Sequence, residues 1–503
     1  VSALSRWGRA AFALGAVCAG VALSVVPMAG STASASASAV EVYPVPPGGQ
    51  FTLHGRGYGH GHGMSQWGAY GAAAVKHLTA AQIVAFYYPH TSLARRMGVG
   101  KIRVDLSAAE SFDTGYLTVA PATGLAVTYG AKTLTLPTKR SGHLVTAWRL
   151  DAVSGTVLRL QARAHGIWST LHRVGAAATF RDPARQIPVV VPGGVTRTYR
   201  GTIGAVLESG YVETVNTLGL GSYLRSVVPM EMSASWSAAA LQAQAIAARS
   251  YAEYAMAHPH GSWFDIYGDT RDQAYGGVGA EYAASTSAVT ATAHEVLETS
   301  GGSPIFAQFG AADGGWTAAG GAPYLPAEKD PYDGLVSNTA HAWTTIVSEA
   351  AVESLAPSIG TLKDLEVTGR DGQGIWGGRV TTVRLVGSAG SATISGTTFQ
   401  ADLGLRSTWW RPTPTPGAPL TVTATASGTS VTVAWQAPAA VSGSAAVTGY
   451  RVSLSPSGTH KSVGASTHTV TFTGLTKGTT YTVTVVAKSS AGKGPGTTAT
   501  VTP

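Results

Sequence analysis

The run Arg411-Pro-Thr-Pro-Thr-Pro-Gly417 constrains this chain more than any other feature. Alternating prolines fix φ and remove backbone donors, so neither a helix nor a central strand passes through it. It reads as an extended linker over residues 412–418. After it come Thr/Val-rich segments at 420–426, 430–436, 450–454, 468–472 and 480–487, separated by Gly, Pro and Ser turns. Period-two alternation at that spacing predicts an all-β sandwich over residues 419–503. Within it, Trp435 and Tyr481 are expected to be structural.

The first residues have the pattern of an export signal. Arg6 and Arg9 precede an apolar stretch from Ala11 to Met28, and a small-residue tail ends in Ala37-Ser-Ala39. The expectation is a signal peptide over 1–39 and a mature chain beginning near Val40. The single cysteine, Cys18, falls inside that leader, so disulfides and thiolate metal sites are excluded from the mature chain. No later stretch approaches the roughly 20 apolar residues of a membrane span. The chain is therefore expected to be secreted, extracellular and cell-wall associated.

The formal net charge is +8, and five of the positive charges lie beyond Pro412, where no acidic residue occurs. A basic module on a secreted protein points to solubility or to anionic envelope polymers, and no basic-aromatic motif for nucleic acid is present. With 12% charged residues and 63 glycines, the composition suits a folded, turn-rich and strand-rich protein.

Residues 101–411 read as an α+β, mostly-β region. Strands are expected at Ile102–Leu106, Leu125–Tyr129 and Gly201–Leu207. Helices are expected over Ala238–Ala257, with Ser235 or Ser237 as cap, over Ala283–Glu298, and near Ala72–Tyr88. Before the alanine-rich helix stands Val227-Val-Pro-Met-Glu-Met232. Glu231 lies there among apolar neighbours, and desolvation raises a carboxyl pKa toward neutrality, as an acid that protonates a glycosidic oxygen requires. A helix-capping or arginine-paired glutamate fits the local pattern as well. A second motif, Gly55-Arg-Gly-Tyr-Gly-His-Gly-His-Gly-Met-Ser-Gln-Trp-Gly-Ala-Tyr-Gly71, offers His60, His62 and Gln66 from one glycine-rich loop. No cysteine or carboxylate stands nearby to complete a metal set, so a polar loop lining a cleft is expected, with no metal and no cofactor.

Tyr223-Leu-Arg-Ser-Val-Val-Pro-Met-Glu-Met232, the Ala-Leu-Gln-Ala-Gln-Ala-Ile-Ala-Ala-Arg-Ser-Tyr run ending at Tyr251, and Asp272-Gln-Ala-Tyr-Gly276 together resemble the signature of the SpoIID/LytB family. Gly314-Gly-Trp-Thr317, Asp330-Pro-Tyr-Asp333 and Gly404-Leu-Arg-Ser-Thr-Trp409 continue the resemblance. The tail resembles a fibronectin type III domain. The resemblance implies a fold of SpoIID-like catalytic region followed by sandwich, and it implies peptidoglycan glycan strands as substrate. It also implies a lytic transglycosylase with Glu231 as sole acid/base, and Arg249, Gln273 and Tyr275 as substrate-binding positions beside His60, His62 and Gln66. The family's zinc-holding cysteines are missing, and Ala311-Ala-Asp replaces a more hydroxylated segment.

In the family the glycine-histidine motif follows the segment matching Gly404–Trp409; here it comes first. The order is that of a circular permutation, with segment 40–100 expected to pack with the catalytic domain. Residues 51–90 are thus expected beside 395–410, both contributing to one cleft with Glu231. The alternative reading is a non-catalytic wall-glycan binder that modifies or recruits a wall amidase.

Overall fold

The computed structural model describes residues 40–107, 115–191, 194–441 and 443–503. The expected signal peptide and Cys18 lie outside them. The chain divides into two compact units, His60–Asn338 and a second formed by 40–59 with Thr339–Pro503.

The first unit is α+β. One antiparallel sheet runs in the order Ile167–Gly175, Val157–Ala164, His143–Ser154, Tyr116–Val119, Gln186–Val190 and Thr196–Arg200. A second orders Ile266–Tyr267, Lys101–Asp105, Tyr211–Gly219, Thr202–Glu208, Ala177–Arg181, Ala126–Tyr129 and Lys132–Thr135. Alternate residues such as Ile102, Val104, Val127, Ile203 and Ala205 are buried, so the period-two pattern was a true sheet signal. Among the described residues the unit's α-helices are α1 (Gln66–Lys76), α2 (Ala80–Tyr87), α3 (Leu220–Glu231), α4 (Ala238–Ala257) and α5 (Ala283–Ala291).

Helix α4 is the hub and packs against each of the other four. Its Ala243, Ala245, Ala247 and Ala248 are wholly buried, and a methyl side chain lets neighbouring helices approach closely. Ser237 stands at its N-cap without a side-chain capping bond.

Two helix expectations are corrected. The one near 72–88 is two helices, separated by His77 at φ 55° and restarted by the Thr79–Gln82 capping box. The one over 283–298 stops at Ala291; His294 turns left-handed at φ 71°, and Glu295–Glu298 becomes a strand paired with Ser92–Arg95. Helix α3 was not anticipated at all.

In the second unit, Gln50–Arg56 lies between Ala342–Ser348 and Trp410–Pro412, pairing Gly55 with Trp410. Glu41–Pro44 edges a sheet of Leu362–Arg370, Val380–Gly387 and Ser391–Ser395. Beyond the linker, sheets ordered Leu420–Ser427, Ser430–Gln436, Thr469–Phe472 and His460–Gly464, Gly449–Ser455, Tyr481–Ser489, Gly492–Val501 enclose Trp435, Tyr450, Val452 and Val485. The Tyr481 hydroxyl accepts from Thr476 N–H at 3.1 Å, a tyrosine corner.

Candidate active site

Helix α3 forms because Tyr223, Leu224, Val227 and Val228 make one buried face. Pro229 has no N–H to extend the ladder, and the helix closes within a turn when Met232 N–H bonds Val228 O. Glu231 is therefore its last residue. Its Oε1 accepts from the Ala274 N–H at 2.8 Å, and its Oε2 from Gln66 Nε2 at 3.3 Å. The residue is half-buried, and burial of the carboxyl pushes its pKa above the ordinary value against the opposing pull of those two hydrogen bonds. Position at a helix C-terminus, where carbonyl dipoles disfavour negative charge, acts in the same direction as burial.

Gln66 reaches Glu231 because it opens α1, whose N-cap is Ser65. The preceding loop is fixed by Met64–Ser65 pairing in parallel with Phe309–Gly310 and by a bridge from His62 to Ala318. Gly63, at φ +64°, has Gln308 O where a Cβ would stand. At Gly68 a Cβ would collide with the Tyr87 hydroxyl and Asp330 Oδ2, so only glycine lets α1 settle there. His60 Nδ1 accepts from the His62 N–H at 2.9 Å, and the two rings lie 4.7 Å apart. Of the residues singled out in the sequence, Gln66 and Glu231 are joined directly.

Arg249, Gln273 and Tyr275 sit in the framework. Gln273 is fully buried, accepting from Tyr223 OH at 3.0 Å and donating to Ala248 O at 3.2 Å. Tyr275 donates to Asn216 Oδ1 at 2.6 Å. Arg249 donates to Glu295 O and Val289 O at 3.0 and 3.2 Å, and burial lowers its pKa to about 10. It borders a cavity of about 340 Å³ with Arg96, Arg225 and Glu253, and Glu231 does not line that cavity. Gln273 and Tyr275 tie the loop carrying Ala274 to α3, α4 and the strand at Tyr211–Gly219, and Arg249 ties α4 to α5 and to Glu295–Glu298.

Two features escaped the sequence reading. Asp272 precedes the Ala274 contact by two residues, and both its oxygens are engaged. Oδ1 accepts from Tyr251 OH at 2.6 Å, and Oδ2 from Tyr267 N–H and His260 Nε2 at 2.8 and 2.9 Å. Asp313, Asp330 and Asp333 form a buried cluster with carboxylate oxygens within 4.8 Å of one another. Its donors are protein groups: Gly315 N–H on Asp313, Tyr87 OH and Tyr332 N–H on Asp330, and Ser65 Oγ on Asp333. Burial, followed for Asp313 by its like-charged neighbours, pushes the Asp313 and Asp330 carboxyls upward. The only sequence signal was the recurrence of aspartate in two glycine- and proline-containing motifs.

Comparison with known proteins adds the following. Residues 208–298 match the SpoIID family model, described as stage II sporulation protein, and residues 413–503 match the fibronectin type III domain model. A Bacillus subtilis (strain 168) protein named amidase enhancer is 33% identical over 140 residues, 26% of this chain and 18% of its own length. An uncharacterized protein of Brachyspira hyodysenteriae is 36% identical over 80 residues, 16% of this chain and 22% of its own. The chain thus spans about a fifth of the length of these curated relatives. The crystal structure of the Clostridium perfringens spore cortex lytic enzyme SleM is 16% identical over 19% of this chain and 33% of that one, at a TM-score of 0.16.

Proposed function

From a chain that carries a SpoIID domain at 208–298 and a fibronectin type III domain at 413–503, we propose a secreted enzyme that cleaves peptidoglycan glycan strands as a lytic transglycosylase. The observation that carries this reading is the state of Glu231. It is a single carboxyl, raised by burial and oriented through both oxygens by Ala274 N–H and Gln66. Asp272, on the loop that holds it, is committed to Tyr251, His260 and Tyr267, which supports a one-carboxylate reading.

Protonated Glu231 gives its proton to the oxygen joining N-acetylmuramic acid to N-acetylglucosamine as the C1–O bond breaks. The resulting carboxylate then takes the proton of the muramoyl 6-hydroxyl, whose oxygen closes on C1. The product is a 1,6-anhydro ring, no water is consumed, and Glu231 returns to its acid form.

A second reading, a glycan binder that stimulates a wall amidase, is favoured by the similarity to the protein named amidase enhancer. The basic C-terminal domain would add affinity for anionic envelope polymers in either case.

The test is incubation of the protein and its Glu231→Gln variant with glycan strands, peptide-bearing and stripped, followed by mass spectrometry. Anhydro-muramoyl ends from the wild type alone support transglycosylation. Ordinary reducing ends require a hydrolase and a second carboxylate. Binding without products supports the amidase-stimulating reading.

A further inference from the structure

Trp67, Tyr70 and Trp236 form a half-buried aromatic cluster on the two segments that make the Glu231 site. Tyr70 and Trp236 stack with ring centroids 4.6 Å apart and planes within 6° of parallel. Trp67 leans on Trp236 at 4.8 Å and on Tyr70 at 6.2 Å. Tyr70 and Trp236 also close the edge of the main core, whereas Trp67 lies outside that packing. Its backbone is pinned by a bond from its N–H to Ala311 O at 3.0 Å.

The polar atoms of these rings decide the interpretation. Four of the five buried tryptophans among the described residues have their indole N–H bonded or sealed, Trp148 being the exception. Trp343 Nε1 donates to Gly57 O and Trp409 Nε1 to Ile375 O, and Trp410 and Trp435 enclose theirs. Among the described residues, Trp67 Nε1, Tyr70 OH and Trp236 Nε1 make no protein hydrogen bond, and none is sealed from solvent. Aromatic rings with one apolar face and a wet polar edge belong at a recognition surface.

We propose that Trp67, supported by Tyr70 and Trp236, is a sugar-stacking subsite adjoining Glu231, and that its occupant is a pyranose ring of the glycan strand. A pyranose has the matching character, a flat face of C–H groups rimmed by hydroxyls. The C–H face packs on the indole, and the free N–H and O–H groups meet the hydroxyls. Location supplies the rest. Trp67 follows the Gln66 that donates to Glu231, and Trp236 lies five residues beyond Glu231, so both rings are carried by the segments that meet at Glu231. This proposal rests on the glycan reading above.

The test uses the full chain carrying Glu231→Gln, which binds without turnover. Two probes, a chitopentaose and a stripped glycan strand, are titrated by calorimetry, and thermal melting checks the fold. Trp67→Ala in that background is expected to weaken binding about tenfold, a loss in the range of one aromatic contact. Trp67→Tyr is expected to restore most of it. Equal affinity with and without the Trp67 ring overturns the subsite and leaves the role of Glu231 standing. Failure of the Glu231→Gln chain to bind either probe overturns subsite and glycan reading together.

Discussion

Within His60–Asn338 the carboxyls of Glu231, Asp313 and Asp330 are enclosed and shifted upward, while the sandwich from Leu420 to Val501 contains no acidic residue and encloses Trp435, Tyr450 and aliphatic side chains. Both regions are folded by apolar burial. Of the two, only the first encloses carboxyl groups, and burying a carboxylate lowers stability unless it is hydrogen-bonded. Glu231, Asp313 and Asp330 each accept from named donors. The sandwich, with its tyrosine corner and alternating strands, is a self-sufficient fold whose exposed charge is basic. The contrast is between a region that encloses carboxyls and one that encloses aromatic and aliphatic side chains.

The largest expected effect tests the chemical side. Glu231→Gln should reduce glycan cleavage by about 10²- to 10⁴-fold, the usual contribution of a general acid, while the melting profile stays near that of the wild type. Cleavage by the variant at wild-type rate would erase the contrast. Next, Trp435→Ala should destabilise the sandwich by about 3–5 kcal/mol through lost burial and a cavity, read as a lowered unfolding midpoint, with glycan cleavage below that midpoint unchanged. A parallel loss of activity would tie the two regions together.

The aspartate cluster gives a pH signature. The folded-state pKa values of Asp313 and Asp330 are raised above 3.8, so the stability they contribute is fully present below that value and is lost as pH rises through the folded values. Asp330→Asn removes one titrating partner and should flatten the fall in melting temperature as pH rises above about 4. A slope identical to wild type would show that burial of Asp330 does not set this pH dependence.

The smallest effect sharpens the site itself. Gln66 stabilises the carboxylate form of Glu231, so Gln66→Ala should raise the Glu231 pKa further. The acid form then persists to higher pH, and the alkaline limb of the rate profile should move upward, with a fall in rate at the optimum of about threefold to tenfold. A limb that stays in place would separate Gln66 from the titration of Glu231.

Much of this was legible in the sequence where the signal is local. The strands at Ile102, Leu125 and Gly201, the alternation after the prolines and both ends of α4 follow from side-chain period and composition alone. Helix α3 was hidden because Pro229 reads as a breaker. Pro229 sits in the last turn, where its missing N–H removes one bond to Arg225 O while Met232 N–H still closes onto Val228 O. The helix expected to run to Glu298 failed because Glu295–Glu298 found a partner in Ser92–Arg95, a pairing some two hundred residues away that no window can register.

The sequence alone determined that Glu231 stands among apolar neighbours and that the tail alternates as a sandwich, because covalent order and residue type suffice for both. Tertiary structure decided which polar groups meet. It brought Gln66 and the Ala274 N–H to Glu231, gathered Asp313, Asp330 and Asp333 around Ser65 and Tyr87, and turned Arg249, Gln273 and Tyr275 onto protein partners. Hydrogen bonds act over about 3 Å and are blind to separation along the chain, so only the packed backbone could select those partners.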